Sequence, residues 1–230
     1  MFASHKENME LEIRNIKKHY RKKQVLTDVT FRVKEGSCVG IVGGNGSGKS
    51  TLLSILAGVQ KADEGKVLWQ GEDLLQKSKL RTKTVGYVPQ GTPLLEELTA
   101  KDNLSIWYEK KQLKKELEEG VLAMLGIPAF LHTPVYKMSG GMKKRLVIGC
   151  AVAHAPSMLL LDEPSAALDL VCKERIYNYI MEMKKCGNTI ILATHDVQEI
   201  AFCDALYILK NGVVEPYQYD GNVHKLVGLL

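Results

Sequence analysis

Along the first third of the chain, apolar positions alternate with polar ones. Leu11 and Ile13, then Val29, Phe31 and Val33, follow the period-2 pattern of half-buried antiparallel strands. Ser37 to Val42 is continuously apolar, which predicts a strand buried on both faces. A glycine-rich turn follows, then helical character from Ser50 to Leu56, stopped near Gly58. Short strands are predicted at Lys66 to Trp69 and Thr84 to Val88. From about Thr99 to Ala155 the period becomes helical, and Thr99 with Asp102 has capping-box spacing. Leu113, Leu117, Val121, Met124 and Leu125 form one apolar stripe, ended by Gly126 and Pro128. Strand character returns at Ser157 to Leu161. A helical stripe of Cys172, Ile176, Tyr179, Ile180 and Met183 then runs up to Gly187. Thr189 to Ala193 and Ala205 to Leu209 read as strands, and Asn211-Gly212 is a hairpin signal. Strands alternating with helices predict an α/β fold with a mainly parallel sheet. Residues 92–155 enter as an inserted helical subdomain between core segments 1–91 and 156–230 of a single domain.

Composition changes this picture little. The 230 residues, 45% hydrophobic and 25% charged, are those of an ordinary globular domain. No run reaches the roughly 18–20 apolar residues of a membrane helix; Leu146 to Leu161 is interrupted by His154, Pro156 and Ser157 and reads as a buried helix followed by a strand. Met1 to Glu12 lacks an apolar signal core. The five cysteines show no paired spacing, which predicts reduced thiols in a cytosol. The net charge of +5 is mild, and the basic run from Lys17 to Lys23 reads equally as an anion-attracting patch or a solvated loop, so no function follows from it. His5, His19, His132, His154 and His224 lack ligand spacing.

The chemistry sits on the turns. Gly43-Gly44-Asn45-Gly46-Ser47-Gly48-Lys49-Ser50 satisfies G-x-x-x-x-G-K-[ST] at every fixed position, with Thr51 next. Its glycines let successive N–H groups close on phosphate oxygens at a helix N-terminus. Lys49 is placed for the β- and γ-phosphates and the Ser50 hydroxyl for Mg²⁺. Met158 to Leu161 is a buried-strand pattern ending in Asp162 and Glu163. Asp162 is expected to hold Mg²⁺, and Glu163 to orient and deprotonate an attacking water.

Further stretches carry a family resemblance. Met138-Ser139-Gly140-Gly141-Met142-Lys143-Lys144-Arg145-Leu146 resembles the L-S-G-G-Q signature of ABC ATPases. Ser165-Ala166-Ala167-Leu168-Asp169 resembles the D-loop, Thr194-His195-Asp196 the switch histidine, and Val88-Pro89-Gln90 the Q-loop; Tyr20 stands at the adenine-stacking aromatic. The motifs span essentially the whole chain in family order. The resemblance implies a P-loop NTPase of the ABC ATPase type, with an antiparallel β subdomain beside the parallel core. It also implies that ATP and Mg²⁺ are bound, with Gln90 sensing both Mg²⁺ and the γ-phosphate. His195 is implied to contact that phosphate, and Ser139, Gly140 and Gly141 to serve the γ-phosphate held by the opposite subunit. Asp169 is implied to link the two sites.

The implied partners are a second ATPase subunit, identical or different, and a separate membrane permease, with no nucleic acid. The expected location is the cytosolic face of the membrane. Two departures stand out: Met138 conserves the volume of the usual Leu, and Met142 removes the polar Gln. The S-G-G-M-K-K-R-L stretch is similar to a variant of exporters with separate permeases, a lean towards export. A soluble iron–sulfur assembly ATPase is the alternative. A kinase or GTPase lacks support from the signature, and no guanine-reading Asn/Thr-Lys-x-Asp stretch is present.

Overall fold

A computed structural model describes residues 10–21 and 23–230. The segment before Glu10, with His5, and Lys22 of the basic run lie outside the described residues. The chain opens with two long strands, β1 (Glu10–Tyr20) and β2 (Lys23–Lys34), paired antiparallel in the alternation read from the sequence: Leu11 opposes Val33, Ile13 opposes Phe31 and Ile16 opposes Val29. β3 (Cys38–Val42) is fully buried and leads through the glycine turn into α1 (Lys49–Leu56). β4 (Glu64–Trp69) and the two-residue β5 (Glu72–Asp73) extend the antiparallel sheet on the far side of β1. α2 (Ser78–Thr84) then precedes β6 (Val85–Val88). Thr84, expected to open that strand, instead ends the helix, its hydroxyl donating to the Leu80 carbonyl at 2.9 Å. One apolar residue in Ser78–Thr84 leaves no period by which a sequence could reveal α2.

Between β6 and β7 (Met158–Asp162) the chain is helical: α3 (Ala100–Ser105), α4 (Lys110–Glu118), α5 (Val121–Met124), two 3₁₀ turns and α6 (Gly140–Ala151). Thr99 and Asp102 form the expected capping box at α3. The stripe from Leu113 to Leu125, however, is two helices. Gly120 takes an extended conformation, the Glu116 carboxylate accepts the Val121 N–H at 2.8 Å, and Met124 turns outward. Hydrophobic spacing survives such a break because both pieces still feed one core.

The second half alternates: α7 (Leu170–Lys185), β8 (Thr189–Ala193), α8 (Val197–Ala201), then the hairpin of β9 (Ala205–Lys210) and β10 (Val213–Tyr217), and α9 (Val223–Leu229). Strand order is β5-β4-β1-β2-β10-β9-β3-β8-β7-β6, with β9, β3, β8, β7 and β6 parallel. Met158 and Leu160 of β7 face one core with α1 and the antiparallel sheet, while Leu159 and Leu161 face another with α6 and α7. Burial on both faces is why these strands read as unbroken apolar runs. Among the described residues no helix is long and apolar enough to cross a membrane.

Candidate nucleotide-binding site

The C-terminal ends of four adjacent parallel strands carry the chemistry. The glycine turn follows β3, Thr194-His195-Asp196 follows β8, Asp162 closes β7, and Pro89-Gln90 follows β6. Register holds the ends level, with Asp162 opposite Ala193 and Val88 opposite Leu161. Such an edge is where open α/β sheets bind ligands.

At β3 the turn enters α1 through Gly48 at φ +108°, a conformation open to glycine. No side chain caps α1, and no acidic residue lies in its first turn. Its orphan N–H groups therefore remain available to an anion. Lys49 is 6% exposed, and its ammonium donates to the Gly43 and Gly44 carbonyls at 2.7 and 3.3 Å. Burial lowers its pKa, opposed by the charges of Glu163 and Asp162. Asn45, Gly46, Ser47, Gly48, Lys49, Ser50 and Thr51 line a cleft of about 420 Å³ with Val25, Gln90 and Glu163. The Ser47 hydroxyl in that turn is buried without a partner.

Asp162 is 1% exposed, and burial raises its pKa, partly offset by a hydrogen bond from Ser50. Its Oδ1 has no partner. An orphaned carboxylate oxygen beside a hydroxyl fits a hard divalent cation. Among the described residues no group of three or more His, Cys, Asp or Glu is placed to hold a metal ion.

Glu163 adopts φ +47°, which costs a non-glycine residue ~1 kcal/mol or more. Its N–H reaches the Ala193 carbonyl at 2.9 Å. Its side chain accepts from Gln90 Nε2 at 3.0 Å through one oxygen, and the other lies 2.8 Å from His195 Nε2. Gln90, Glu163 and His195 are thus one connected group at the cleft's edge.

The remaining predicted residues lie elsewhere. Ser139 caps α6, accepting the Met142 N–H at 3.3 Å, and Ser139 and Gly140 are exposed while Gly141 is buried against α7. Asp169 caps α7 through the Cys172 N–H at 2.9 Å, a bond that also lowers its pKa. Tyr20 is exposed, with its hydroxyl on Gln60. None of these five lines the cleft of its own chain.

Sequence reasoning passed over Val25, Lys144 and the buried Glu199, whose carboxylate bonds the Thr194 hydroxyl. Lys144 sits four and three residues past Gly140 and Gly141, buried in α6, within a basic run whose local pattern gives no sign of that burial.

A family model described as ABC transporter matches residues 26–166. The chain is 33% identical over 229 residues to the Nod factor export ATP-binding protein I of Sinorhizobium fredii, covering 96% of this chain and 65% of that one. It is 34% identical over 212 residues to the "Probable sulfate/thiosulfate import ATP-binding protein" of Chlorella vulgaris, covering 90% and 89%. Among solved structures it resembles a dimeric ATP-binding cassette in a post-hydrolysis state bound to ADP and Pi, with a TM-score of 0.81 and 29% identity, covering 89% of this chain and 96% of that one. A nucleotide-free cassette superposes with a TM-score of 0.83 at 27% identity, covering 96% of each chain. The phosphate turn, the strand-end carboxylates and these matches together make this chain a member of the ABC transporter family of ATP-binding proteins.

Proposed function

We propose that the chain binds and hydrolyses ATP with Mg²⁺ as the energy-coupling subunit of an exporter whose permease is a separate polypeptide. The observation that carries this reading is the Gln90–Glu163–His195 group beside the glycine turn. In this reading the ATP phosphates occupy the turn, and Lys49 exchanges the Gly43 and Gly44 carbonyls for them. Tyr20 would stack on the adenine. Asp162, Ser50 and Gln90 would hold Mg²⁺, which neutralises charge on the phosphates. Glu163 takes a proton as water attacks the γ-phosphorus, and the bond to the leaving ADP oxygen breaks with its electron pair. Gln90 and His195 hold the Glu163 carboxylate, and His195 would also contact the transferring phosphoryl group.

Ser139, Gly140 and Gly141 at the N-terminus of α6 would complete the cleft of a second subunit, with Asp169 linking the two sites. Leu170, 82% exposed, and Val171 adjoin Asp169 and suit a covered surface. ATP would then close the dimer and hydrolysis release it. Residues 92–155 are the proposed helical subdomain, facing a permease on the cytosolic side of the membrane. Export rests on the signature variant and the Nod factor export relative; transporter names among the relatives favour transport over iron–sulfur assembly.

Phosphate release by the wild type and by Glu163→Gln tests the reading. The expected loss is about 10²–10⁴-fold, with the variant eluting as a dimer in ATP. Wild-type turnover in Glu163→Gln, or strictly monomeric elution, would refute the assigned base or the sandwich respectively.

A further inference from the structure

Lys144 is a buried cation that none of these roles employs. It lies in α6 shortly after Ser139, Gly140 and Gly141 and is 4% exposed. Its ammonium donates to the carbonyls of Pro89 and Gln90, each at 2.9 Å. Burial lowers its pKa, while Asp162, Glu163 and Glu199 act in the opposite sense. An ammonium withdrawn from water is costly unless its donors are used. Here both donations go to the two residues that leave β6.

A plain tie between α6 and β6 would explain this much. The Gln90 side chain gives the tie a consequence. The same residue whose carbonyl Lys144 grips donates its side-chain amide to Glu163 at 3.0 Å, and Glu163 lies 2.8 Å from His195. A continuous path therefore runs within one chain from the start of α6, through Lys144 and the Gln90 backbone, to the carboxylate and the histidine.

We propose that Lys144 is a positioning residue for ATP hydrolysis: by holding the Gln90 backbone it sets where the Gln90 amide meets Glu163, and it carries displacement of the α6 N-terminus to that carboxylate. The proposal rests on the ATPase reading above. Engagement of the α6 N-terminus by a partner-bound phosphate then alters the placement of Glu163 in the same chain, through the Lys144–Gln90 and Gln90–Glu163 contacts.

The test measures kcat and KM for Mg-ATP in the wild type, Lys144→Met and Lys144→Gln, alone and with Gln90→Ala, alongside melting temperatures. Lys144→Met fills similar space without a donor, and kcat is expected to fall about 10–100-fold, as for a misplaced reacting group, with KM within about twofold. Lys144→Gln, whose amide donor is one bond shorter, is expected to keep one contact and lose only about threefold. With Gln90→Ala the path is already cut, so Lys144→Met should add less than about threefold.

Wild-type kcat in Lys144→Met, equal losses in the Met and Gln variants, or full additivity with Gln90→Ala would each overturn the proposal. Should Lys144→Met not melt cooperatively, Lys144→Gln decides. A loss of about threefold that vanishes with Gln90→Ala supports the path, and an unchanged kcat or an additive loss refutes it. A wild type without Mg-dependent turnover would remove the ATPase reading itself; turnover indifferent to Lys144 removes only this proposal.

Discussion

Two adjacent glycines of the signature stretch meet different surroundings. A Cβ on Gly141 would run into the Cys172 thiol, with Cys172 Cβ at 3.0 Å, where α6 lies against α7. At Gly140 the nearest atom is Leu168 Cδ2 at 4.0 Å. Cys172 has little room to give, because its N–H is held by the Asp169 cap. Gly141→Ala is therefore expected to destabilise by about 1–3 kcal/mol, as overpacking does, and Gly140→Ala by less than about 0.5 kcal/mol. Adding Cys172→Ala to Gly141→Ala should recover most of the loss. Urea denaturation of the four proteins measures this, and equal midpoints for both glycine variants would refute the packing account. Lys49, Asp162 and Glu163 were legible as residues because each has a required identity at a required spacing. Lys144 was not, since a lysine within a basic run reads as solvated until the carbonyls of Pro89 and Gln90 are seen to face it.

Elements were legible where local forces decide them. The Thr99 capping box and the Asn211-Gly212 turn, with both residues at positive φ, depend on neighbours in sequence. The helix α2, with a single apolar residue and no side-chain cap, carries no such local signal. Asp63 illustrates an element-level tie visible only in three dimensions. It accepts from Lys18 Nζ at 2.8 Å and from the His19 N–H at 2.6 Å, and its own N–H donates to the Lys17 carbonyl at 2.9 Å, fastening the approach to β4 onto β1. The Lys18 contact first, and the His19 N–H second, lower its carboxyl from 3.8 to about 2. A depressed folded pKa means that the stabilisation is present above 3.8 and is lost as pH falls towards about 2. The melting-temperature gap between the wild type and Asp63→Asn should accordingly be widest near neutrality and shrink through that window. A gap that widened on acidification would contradict the assigned cause.

At the scale of the molecule, two sheets must be joined. β10 meets β2 in parallel at a single pair, Val213 with Asp28. The turn before it closes the joint: the Gly212 carbonyl accepts from the Thr27 and Asp28 N–H groups at 2.8 and 3.3 Å, and the Thr27 hydroxyl donates to the Asn211 carbonyl at 2.7 Å. Gly212 holds φ +77°, and a Cβ there would press on the Thr27 side chain and backbone and the Val25 carbonyl. Gly212→Ala is expected to cost about 1–3 kcal/mol. It should also raise KM for ATP, because Val25 on the same segment lines the cleft. Denaturation with parallel ATP titration checks both; lost stability with unaltered KM would separate the joint from the site.

The sequence by itself determined the alternation of strands and helices, the phosphate turn and the strand-end carboxylates, because periodicity and motif chemistry are written in residues a few positions apart. Tertiary structure alone decided which strand ends stand side by side, that Gln90, Glu163 and His195 touch, and that Lys144 is buried against the chain leaving β6. It also left the capped start of α6 outside its own chain's cleft. Those outcomes join residues far apart in sequence, and only the packing of the sheet and its helices brings them within reach of one another.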